Sequence, residues 1–306
     1  MIRYSVIIPH FNDSIRLQRL IRSIPYNRKD IEIIVIDDST PDESQLEQLA
    51  QIEKSTNALR VLSTPKNSGA GCARNIGLSH ARGQWIVFAD SDDEFLPNAF
   101  VQFDKSLRGN DHLVYFLAEA INESDGTRSS RSENMNRLVN SYRQSRTDKN
   151  LQELQLNHVN PVAKVYSKTF LIENRIRFDE VRFGDDVAFN VLAAITATQL
   201  RVEGSTVYRI YKRSGSLTSC IDKDTYFENF LVYRNLSKKL RNLGVKARPS
   251  ANNHIIGAFR YGPTFAIKIC LLSIASPMKI RWTRMLSINR WLILANIKPL
   301  KFGSSR

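Results

Sequence analysis

The sequence predicts a three-layer α/β fold in which a mostly parallel sheet lies between two layers of helices. Two observations support this prediction. Short apolar segments typical of buried strands alternate with helical patterns through the first third of the chain, and acidic residues follow directly after two of those strands. Because parallel α/β sheets bind ligands beyond the carboxyl ends of their strands, we expect the functional site at that edge.

The individual elements can be followed in order along the chain. Four apolar runs have the length of buried strands, at residues 5–9, 31–36, 60–63 and 84–89. Three segments between them have helical character, at residues 15–24, 42–52 and 70–81. Further strands are predicted at residues 113–118, 162–166 and 202–211, with a polar loop at residues 124–131.

Charge is distributed unevenly along the 306 residues. The net charge is +14, yet no Asp or Glu follows Glu228, and residues 229–306 contain 15 Lys and Arg. The sequence therefore predicts a near-neutral domain, residues 1–228, followed by a basic and helical tail, residues 229–306. Apolar blocks at 265–275 and 291–297 alternate with basic residues, as in helices that bind an anionic membrane surface. A helical cap with a solvated basic face is the alternative.

Several classes of protein do not fit the sequence. The three cysteines lie far apart without a CxxC pair, which argues against a zinc site or a disulfide framework. The chain starts almost directly with an apolar strand instead of a signal peptide, and no stretch reaches the ~18 apolar residues of a spanning helix. We therefore expect a cytoplasmic protein. Nucleic acid is not an expected partner, because the apolar blocks of the tail are rich in Ile and Leu and not in stacking aromatics.

The motif Asp90-Ser91-Asp92 follows the apolar strand at residues 84–89. Residues i and i+2 of a strand point to the same side, so the motif can direct two carboxylates at one point. Oxygen ligands of this kind suit Mg²⁺ or Mn²⁺ bound to substrate phosphates. The alternative is an acidic turn that caps the next helix, with Pro97 in the first turns of that helix.

A second acidic pair, Asp37-Asp38, ends the strand at residues 31–36. One of these carboxylates can accept a hydrogen bond from a nucleobase, or the pair can cap the helix that starts near Pro41. A response-regulator pocket would require a later strand-end lysine and a shorter chain. The loop at residues 66–71 enters a helix through two glycines, but it matches neither GxGxxG nor a Walker loop and is a weak phosphate signal.

Seven short segments occur in an order and spacing that together resemble one family: residues 5–12, 36–40, 67–77, 83–93, 164–168, 183–189 and 211–218. Over residues 3–218 the sequence resembles the family-2 inverting nucleotide-sugar glycosyltransferases of GT-A fold, especially those that build bacterial capsule and lipopolysaccharide. The resemblance implies a UDP-sugar or related donor, a glycan or lipid-linked glycan acceptor, Mn²⁺ or Mg²⁺, and a peripheral position at the inner face of the cell membrane. Residues 1–93 would bind the donor, and residues 94–228 would bind the acceptor and supply the base.

The resemblance also implies which residues bind the donor. Pro9 and Phe11 would line the nucleoside pocket, with Phe11 stacked on uracil. Asn12 ends the same motif and would also bind the donor. Asp38 would accept a hydrogen bond from the base, and Arg74 would border the donor.

The remaining roles implied by the resemblance concern the metal and the diphosphate. Asp90 and Asp92 would hold the metal and the ribose-diphosphate, with Asp92 the direct ligand. Lys164 and the segment at residues 213–218 would close over the diphosphate.

The base implied by the resemblance is Asp186, at the second position of the family's Glu-Asp motif. Asp185 stands here where the family usually has Glu, which leaves open which of the two carboxylates removes the proton of the acceptor hydroxyl. Without the resemblance, this pair fits the N-terminus of a helix that follows Gly184, where carboxylates are favoured. A non-catalytic scaffold in polysaccharide assembly is the alternative function, and it would predict the loss of these carboxylates.

Overall fold

The computed structural model of the protein describes residues 1–213 and 222–282. The chain divides into two compact units, residues 1–219 and residues 220–306. The predicted boundary after residue 228 differs, because it followed the change in charge. That position lies inside a helix, Lys223–Asn242, so the unit defined by packing begins earlier than the purely basic stretch.

Strands of the first unit form one mixed sheet with the order β3-β2-β1-β4-β7-β6-β8-β5. Their bounds are β1 Tyr4–His10, β2 Ile31–Asp37, β3 Leu59–Ser63, β4 Trp85–Phe88, β5 Glu94–Phe95, β6 Leu113–Asn122, β7 Lys164–Ser167 and β8 Leu200–Lys212. The four strands from β3 to β4 are parallel. Strand β7 is antiparallel to both β4 and β6, while β6 and β8 are parallel.

Helices of the first unit are α1 Ser14–Ser23, α2 Glu43–Lys54, α3 Ala70–His80, α4 Ala99–Ser106, α5 Glu133–Gln144, α6 Asp148–Asn157, α7 Lys168–Glu173 and α8 Asp185–Thr196. They cover both faces of the sheet, as β1 illustrates. Val6 and Ile8 belong to the core cluster that includes residues of α1, α2 and α4, whereas Ile7 belongs to the cluster that includes residues of α3, α6 and α8. This alternation follows from the two-residue period of a strand.

The predicted three-layer fold is therefore confirmed, and each strand and helix proposed from the sequence lies within about two residues of its predicted place, except that β6 continues four residues beyond its predicted end at residue 118. The polar stretch at residues 124–131 is a turn after β6 that leads into a short 3₁₀ segment, Ser130–Ser132. One difference is the orientation of β7. This strand belongs to the antiparallel part of the sheet, which apolar runs alone do not distinguish from the parallel part.

The second unit consists of α9 Lys223–Asn242, α10 Asn252–Ala258 and α11 Pro263–Ile274 around an apolar cluster that includes Phe230 and Ile269. The predicted apolar block at residues 265–275 corresponds to α11, and the block at 291–297 lies outside the described residues. Among residues 1–213 and 222–282, no helix is long and apolar enough to cross a membrane.

Candidate active site

The predicted site residues of the first half meet at one edge of the sheet because three parallel strands end there. In the register of β1 and β2, His10 lies beside Asp37, and in that of β1 and β4, Ile7 lies beside Phe88. The residues that follow these strands, Phe11, Asp38 and Asp90, therefore share the carboxyl edge. This is the edge at which such sheets bind ligands.

The end of β1 presents an aromatic ring to solvent. The Phe11 side chain is 46% exposed, and Pro9 is partly exposed before it. Asn12 adopts a positive φ of 52°, and its backbone N–H donates to Thr40 Oγ1 at 2.9 Å. This turn fixes the direction in which the chain leaves the strand, and the exposed ring offers a flat apolar surface to a planar ligand.

Asp38 is buried and organises the loop that leads into α3. Its Oδ1 accepts hydrogen bonds from the Thr64 hydroxyl and the Ser68 N–H, and its Oδ2 accepts one from the Gly69 N–H at 2.7 Å. These bonds occupy two of the backbone amides that a phosphate would need. An ionised carboxylate oxygen can accept more than one bond, so Oδ2 retains capacity for a further donor.

The alternative reading of the first acidic pair as a helix cap is wrong. Asp37 accepts from the backbone N–H and the hydroxyl of Thr40, while the N-cap of α2 is Asp42, whose side chain accepts from the Ser44 N–H. Pro41 thus precedes the helix. The strand-end carboxylates stabilise the turns at the edge of the sheet.

Asp90 and Asp92 lie at the end of β4, each with one oxygen engaged by an arginine. Asp90 Oδ1 accepts from Arg74 at 2.6 Å, and Asp92 Oδ2 pairs with Arg213 at 2.9 Å. Burial, followed by the charge of Asp90, raises the pKa of Asp92 above its usual range. The helix-cap alternative for this motif is wrong too, because α4 begins later and has Asn98 as its N-cap.

The second acidic pair of the site lies at the start of α8. Gly184 adopts a left-handed conformation with φ 75°, and Asp185 and Asp186 form the first turn that follows. Burial and the charge of Asp185 raise the pKa of Asp186 to about 7, against the opposing effect of Arg74. A carboxylate with a pKa near neutrality suits general base chemistry. The helix N-terminus expected from the sequence is present as well.

Arg74, on α3, connects the two acidic pairs. Its Nη2 donates to Asp90, and its Nη1 donates to Asp185 Oδ2 at 2.8 Å. The guanidinium is nearly inaccessible to solvent and lies 5.3 Å from the centre of the Phe178 ring. A buried guanidinium between two carboxylates is a strong pairing, so Arg74 holds the end of β4 and the start of α8 at one place.

A glycine on α3 allows this approach. A Cβ added at Gly71 would lie 2.5 Å from the backbone oxygen of Asp179 and 2.8 Å from the Cβ of Asp185. Gly69, with φ 87°, makes the turn into the helix. In the loop that weakly resembled a phosphate-binding loop, Gly69 therefore makes the turn, and Gly71 allows the close contact between α3 and α8.

Lys164 is the first residue of β7, which runs antiparallel to β4. Its side chain is fully buried, and its Nζ donates to the His158 carbonyl oxygen at 2.8 Å and to Asn190 Oδ1 at 2.7 Å. Its ammonium therefore contacts neutral groups of the interior, and the contact with the diphosphate stays a prediction. Of the segment predicted to cover the diphosphate, Arg213 is described and contacts Asp92, while residues 214–218 lie outside the described residues.

The oxygen ligands at the end of β4 fit a hard divalent cation bound together with a substrate. In the described part of the chain, no group of three or more His, Cys, Asp or Glu side chains forms a complete metal site. Two partly exposed carboxylates, Asp90 and Asp92, are the arrangement expected for Mg²⁺ or Mn²⁺ when phosphates and water supply the other ligands. Burial, followed by the charge of Asp90, raises the pKa of Asp92, and a bound cation would oppose both effects by favouring the ionised carboxylate.

Several contacts at the site were not predicted from the sequence. The Tyr208 hydroxyl accepts a hydrogen bond from the Asp90 N–H, and the guanidinium of Arg19 donates to the carbonyl oxygen of Asp92. Asp93 is buried, and its Oδ1 accepts from the Tyr211 N–H. The partners come from α1 and β8, which are distant in sequence, so no local pattern indicates them.

Comparisons with known proteins were made on the sequence and on the fold. The family described as "Glycosyl transferase family 2" matches residues 5–174. The chain is 28% identical over 244 residues to the GalNAc(5)-diNAcBac-PP-undecaprenol beta-1,3-glucosyltransferase of Campylobacter jejuni, covering 79% of this chain and 75% of that enzyme. It is 25% identical over 227 residues to the poly(ribitol-phosphate) beta-N-acetylglucosaminyltransferase TarS of Staphylococcus aureus, covering 70% of this chain and 36% of TarS.

Solved structures share the fold. The crystal structure of S. aureus TarS 1–349 in complex with UDP-GlcNAc superposes with a TM-score of 0.59 at 19% identity, covering 96% of this chain and 79% of that one. The mannosyltransferase PcManGT of Pyrobaculum calidifontis, in complex with GDP-Man and Mn²⁺, gives a TM-score of 0.50 at 15% identity, covering 96% and 78%. The chain spans about a third of the length of full TarS, and the family match ends before α8.

Proposed function

The chain belongs to glycosyl transferase family 2, and we propose that it transfers a sugar from a UDP-sugar to a hydroxyl of a growing cell-surface glycan with inversion at the anomeric carbon. One observation supports this proposal most directly. Arg74 pairs with Asp90 on one side and with Asp185 on the other. A pair suited to bind a metal diphosphate and a pair suited to remove a proton therefore lie in one cleft.

The base is proposed to be Asp186. A sugar hydroxyl is a poor nucleophile, and a positioned carboxylate that accepts its proton lowers the barrier to attack. Because its pKa is raised to about 7, Asp186 is a stronger base than an ordinary aspartate and is still ionised in part at neutral pH. Asp185 is paired with Arg74 at 2.8 Å, which leaves it less available to accept a proton.

The donor is proposed to lie along the ends of β1, β2 and β4. Phe11 would stack on the base, with Pro9 and Asn12 beside it, and the remaining acceptor capacity of Asp38 would serve the base N–H. A divalent cation held by Asp90 and Asp92 would neutralise charge on the leaving diphosphate. Arg213, which pairs with Asp92, is a cation within reach of the same diphosphate.

The acceptor is proposed to be a lipid-linked or surface glycan, such as lipopolysaccharide, O-antigen or capsule. The proposal draws on the relatives, whose names specify an undecaprenol-linked glycan and poly(ribitol-phosphate). These names describe those proteins. For the present chain they support a polymeric glycan acceptor over a small soluble one.

Association with the inner face of an anionic membrane is proposed through α11. Ile267, Leu271 and Ile274 are 58%, 62% and 57% exposed, and their i, i+4, i+7 spacing places them on one side of the helix. Lys268 leans toward the Phe227 ring at 4.3 Å and leaves this row apolar. Since residues 229–306 contain no acidic side chain, an anionic bilayer complements both the apolar row and the charge.

The membrane proposal predicts that Leu271→Glu reduces sedimentation with phosphatidylglycerol vesicles by about tenfold, because it places a carboxylate in the apolar face. Leu243→Glu is the matched control, since Leu243 is 60% exposed at the end of α9. It introduces the same charge outside the row and should bind more tightly than Leu271→Glu. Equal binding of the two variants would contradict a lipid-facing role for α11.

The catalytic proposal is tested by donor hydrolysis. Purified protein is incubated with Mn²⁺ or Mg²⁺ and a panel of UDP-, GDP- and dTDP-sugars, and the released nucleotide is measured alongside Asp92→Ala and Asp186→Asn. We expect turnover of a UDP-sugar that requires the metal and is lost in both variants. A protein that binds no nucleotide in the presence of Mn²⁺ would contradict the enzyme proposal and support a scaffold in polysaccharide assembly.

A further inference from the structure

Lys164 is a fully buried lysine in the interior of the first unit. It lies on β7, which is flanked by β4 and β6 in the centre of the sheet. Removing an ammonium from water costs several kcal/mol unless the protein supplies compensating partners. Such a residue therefore requires a structural or functional explanation.

The immediate partners of Lys164 are neutral. Its Nζ donates to the His158 carbonyl oxygen and to Asn190 Oδ1, and it lies 4.7 Å from the centre of the Tyr115 ring. A carbonyl, an amide oxygen and a π face match the three N–H donors of an ammonium. Burial lowers the pKa of Lys164 well below its usual range, and these electron-rich groups oppose that effect because they stabilise the ammonium.

Asn190 relays this arrangement to the start of α8. Its Nδ2 donates to the Asp186 carbonyl oxygen at 2.8 Å, one helical turn earlier, and to the Val159 carbonyl oxygen, while its Oδ1 accepts from Lys164 and from the Tyr166 hydroxyl. All the hydrogen-bonding groups of this buried amide are thus used. The lysine, through Asn190, is tied to the backbone of the proposed base.

The charge of Lys164 acts on the same residue. In the described part of the chain, no carboxylate lies within ion-pair distance of its ammonium, and Asp186 is the acidic side chain that raises the pKa of Lys164 against the effect of burial. An electrostatic interaction between two groups is reciprocal, so the ammonium favours the ionised form of Asp186.

We propose that Lys164 is a positioning residue for Asp186, holding the first turn of α8 through Asn190 and supplying, from the buried side, the positive charge that favours the carboxylate. The proposal rests on the proposed function, and it replaces the contact with the donor diphosphate expected from the sequence. The titratable and charged groups that act on Asp186 are Asp185 from α8, Arg74 from α3, Asp90 after β4, and Lys164 and Tyr166 from β7, while Tyr115 from β6 and His158 after α6 surround Lys164.

The test is the pH profile of kcat/KM for hydrolysis of UDP-GlcNAc in the intact protein, with Lys164→Met as the variant. Met retains the length of the side chain and removes the charge. We expect the acidic limb to move upward by about one pH unit, because an opposite charge nearby lowers the pKa of a carboxyl by that order. Binding of UDP with Mn²⁺, measured by calorimetry, should be unchanged.

Tyr166→Phe is the matched control. It removes one hydrogen bond to Asn190 Oδ1 without a change in charge, so the acidic limb should stay where it is in the wild type. If Lys164→Met does not fold, Asn190→Asp serves as the second variant. It places a carboxylate against the ammonium and should also move the limb upward.

Other outcomes overturn the proposal in distinguishable ways. A lower rate at every pH with an unmoved limb would assign Lys164 a packing role only. Weaker binding of UDP with Mn²⁺ by Lys164→Met would indicate instead that Lys164 contacts the donor diphosphate. Full turnover by Asp186→Asn would instead contradict the proposed base itself, and the role of Lys164 with it.

Discussion

Two pairs of aspartates approach the same arginine, and they differ in the backbone that presents them. Asp90 and Asp92 follow a strand and lie in a turn in which the Asp93 N–H donates to the Asp90 carbonyl oxygen. Asp185 and Asp186 begin a helix, where consecutive side chains diverge by about 100°. Arg74 contacts the first member of each pair. The turn after the strand therefore presents its two carboxylates to two different arginines, whereas the helix separates the roles of its two.

This difference explains how four acidic residues can divide two tasks. Each strand-end carboxylate has one oxygen paired with an arginine and presents the other to the cleft, an arrangement suited to metal and phosphate. At the helix, Asp185 is paired with Arg74, while burial and its neighbour raise the pKa of Asp186 to about 7. Environments that distinguish similar carboxylates in this way are typical of acid–base sites.

The largest expected effect comes from Asp186→Asn compared with Asp185→Asn. If Asp186 is the base, its replacement removes proton transfer and should lower kcat by about a thousandfold. Asp185→Asn keeps the base and should lower kcat by about tenfold, through its weakened bond to Arg74. Release of UDP from a UDP-sugar measures both. A larger loss in Asp185→Asn would reverse the assignment of the two carboxylates.

The next effect distinguishes the strand pair from the helix pair by binding alone. Asp92→Asn should weaken the binding of UDP with Mn²⁺ by about ten- to a hundredfold, the equivalent of one charge-assisted contact. Asp186→Asn should bind UDP as the wild type does, because the proposed base contacts the acceptor. Calorimetric titration provides the measurement. A similar loss in both variants would show that the two pairs do not act separately.

A smaller effect is expected where the two pairs are brought together. Gly71→Ala introduces a Cβ that lies 2.5 Å from the Asp179 carbonyl oxygen, so α3 must move away from the start of α8. Overpacking of this kind costs about 1–3 kcal/mol. Gly109→Ala is the control, because no atom lies within 4 Å of its added Cβ. Thermal unfolding and turnover should both decline in the first variant and stay near wild type in the second.

The sequence was sufficient to predict which residues lie at the ends of the strands. It was not sufficient to predict which of these residues contact each other. Asp90 and Asp92 could be placed at a strand end because apolar runs and the two-residue period are local. The pairing of Arg74 with Asp185 spans 111 positions and depends on how α3 packs beside α8. The resemblance implied that Lys164 contacts the diphosphate, whereas nothing in the sequence indicated that its side chain is buried and bonded to neutral groups of the interior. Local patterns thus predict which residues are polar at an edge, while packing determines which of them meet.

The last expected effect is one of stability, and it tests the cause of the raised pKa of Asp186. A carboxyl whose pKa rises from 3.8 in the unfolded chain to about 7 in the native protein binds more protons when folded, so it lowers stability progressively as the pH rises through that window. Asp186→Asn removes this penalty. It should raise the free energy of unfolding by on the order of 4 kcal/mol at about pH 8, and have little effect at about pH 4, since each pKa unit corresponds to ~1.4 kcal/mol. Asp42→Asn is the control, because Asp42 is exposed and its pKa is lowered by the bond to Ser44, the opposite direction. Denaturant unfolding at the two pH values measures the difference.

The opposite outcome is an Asp186→Asn variant that is no more stable than wild type at the higher pH. It would mean that the native site already compensates the charge of Asp186. The contrast between the strand pair and the helix pair would then lie in geometry alone.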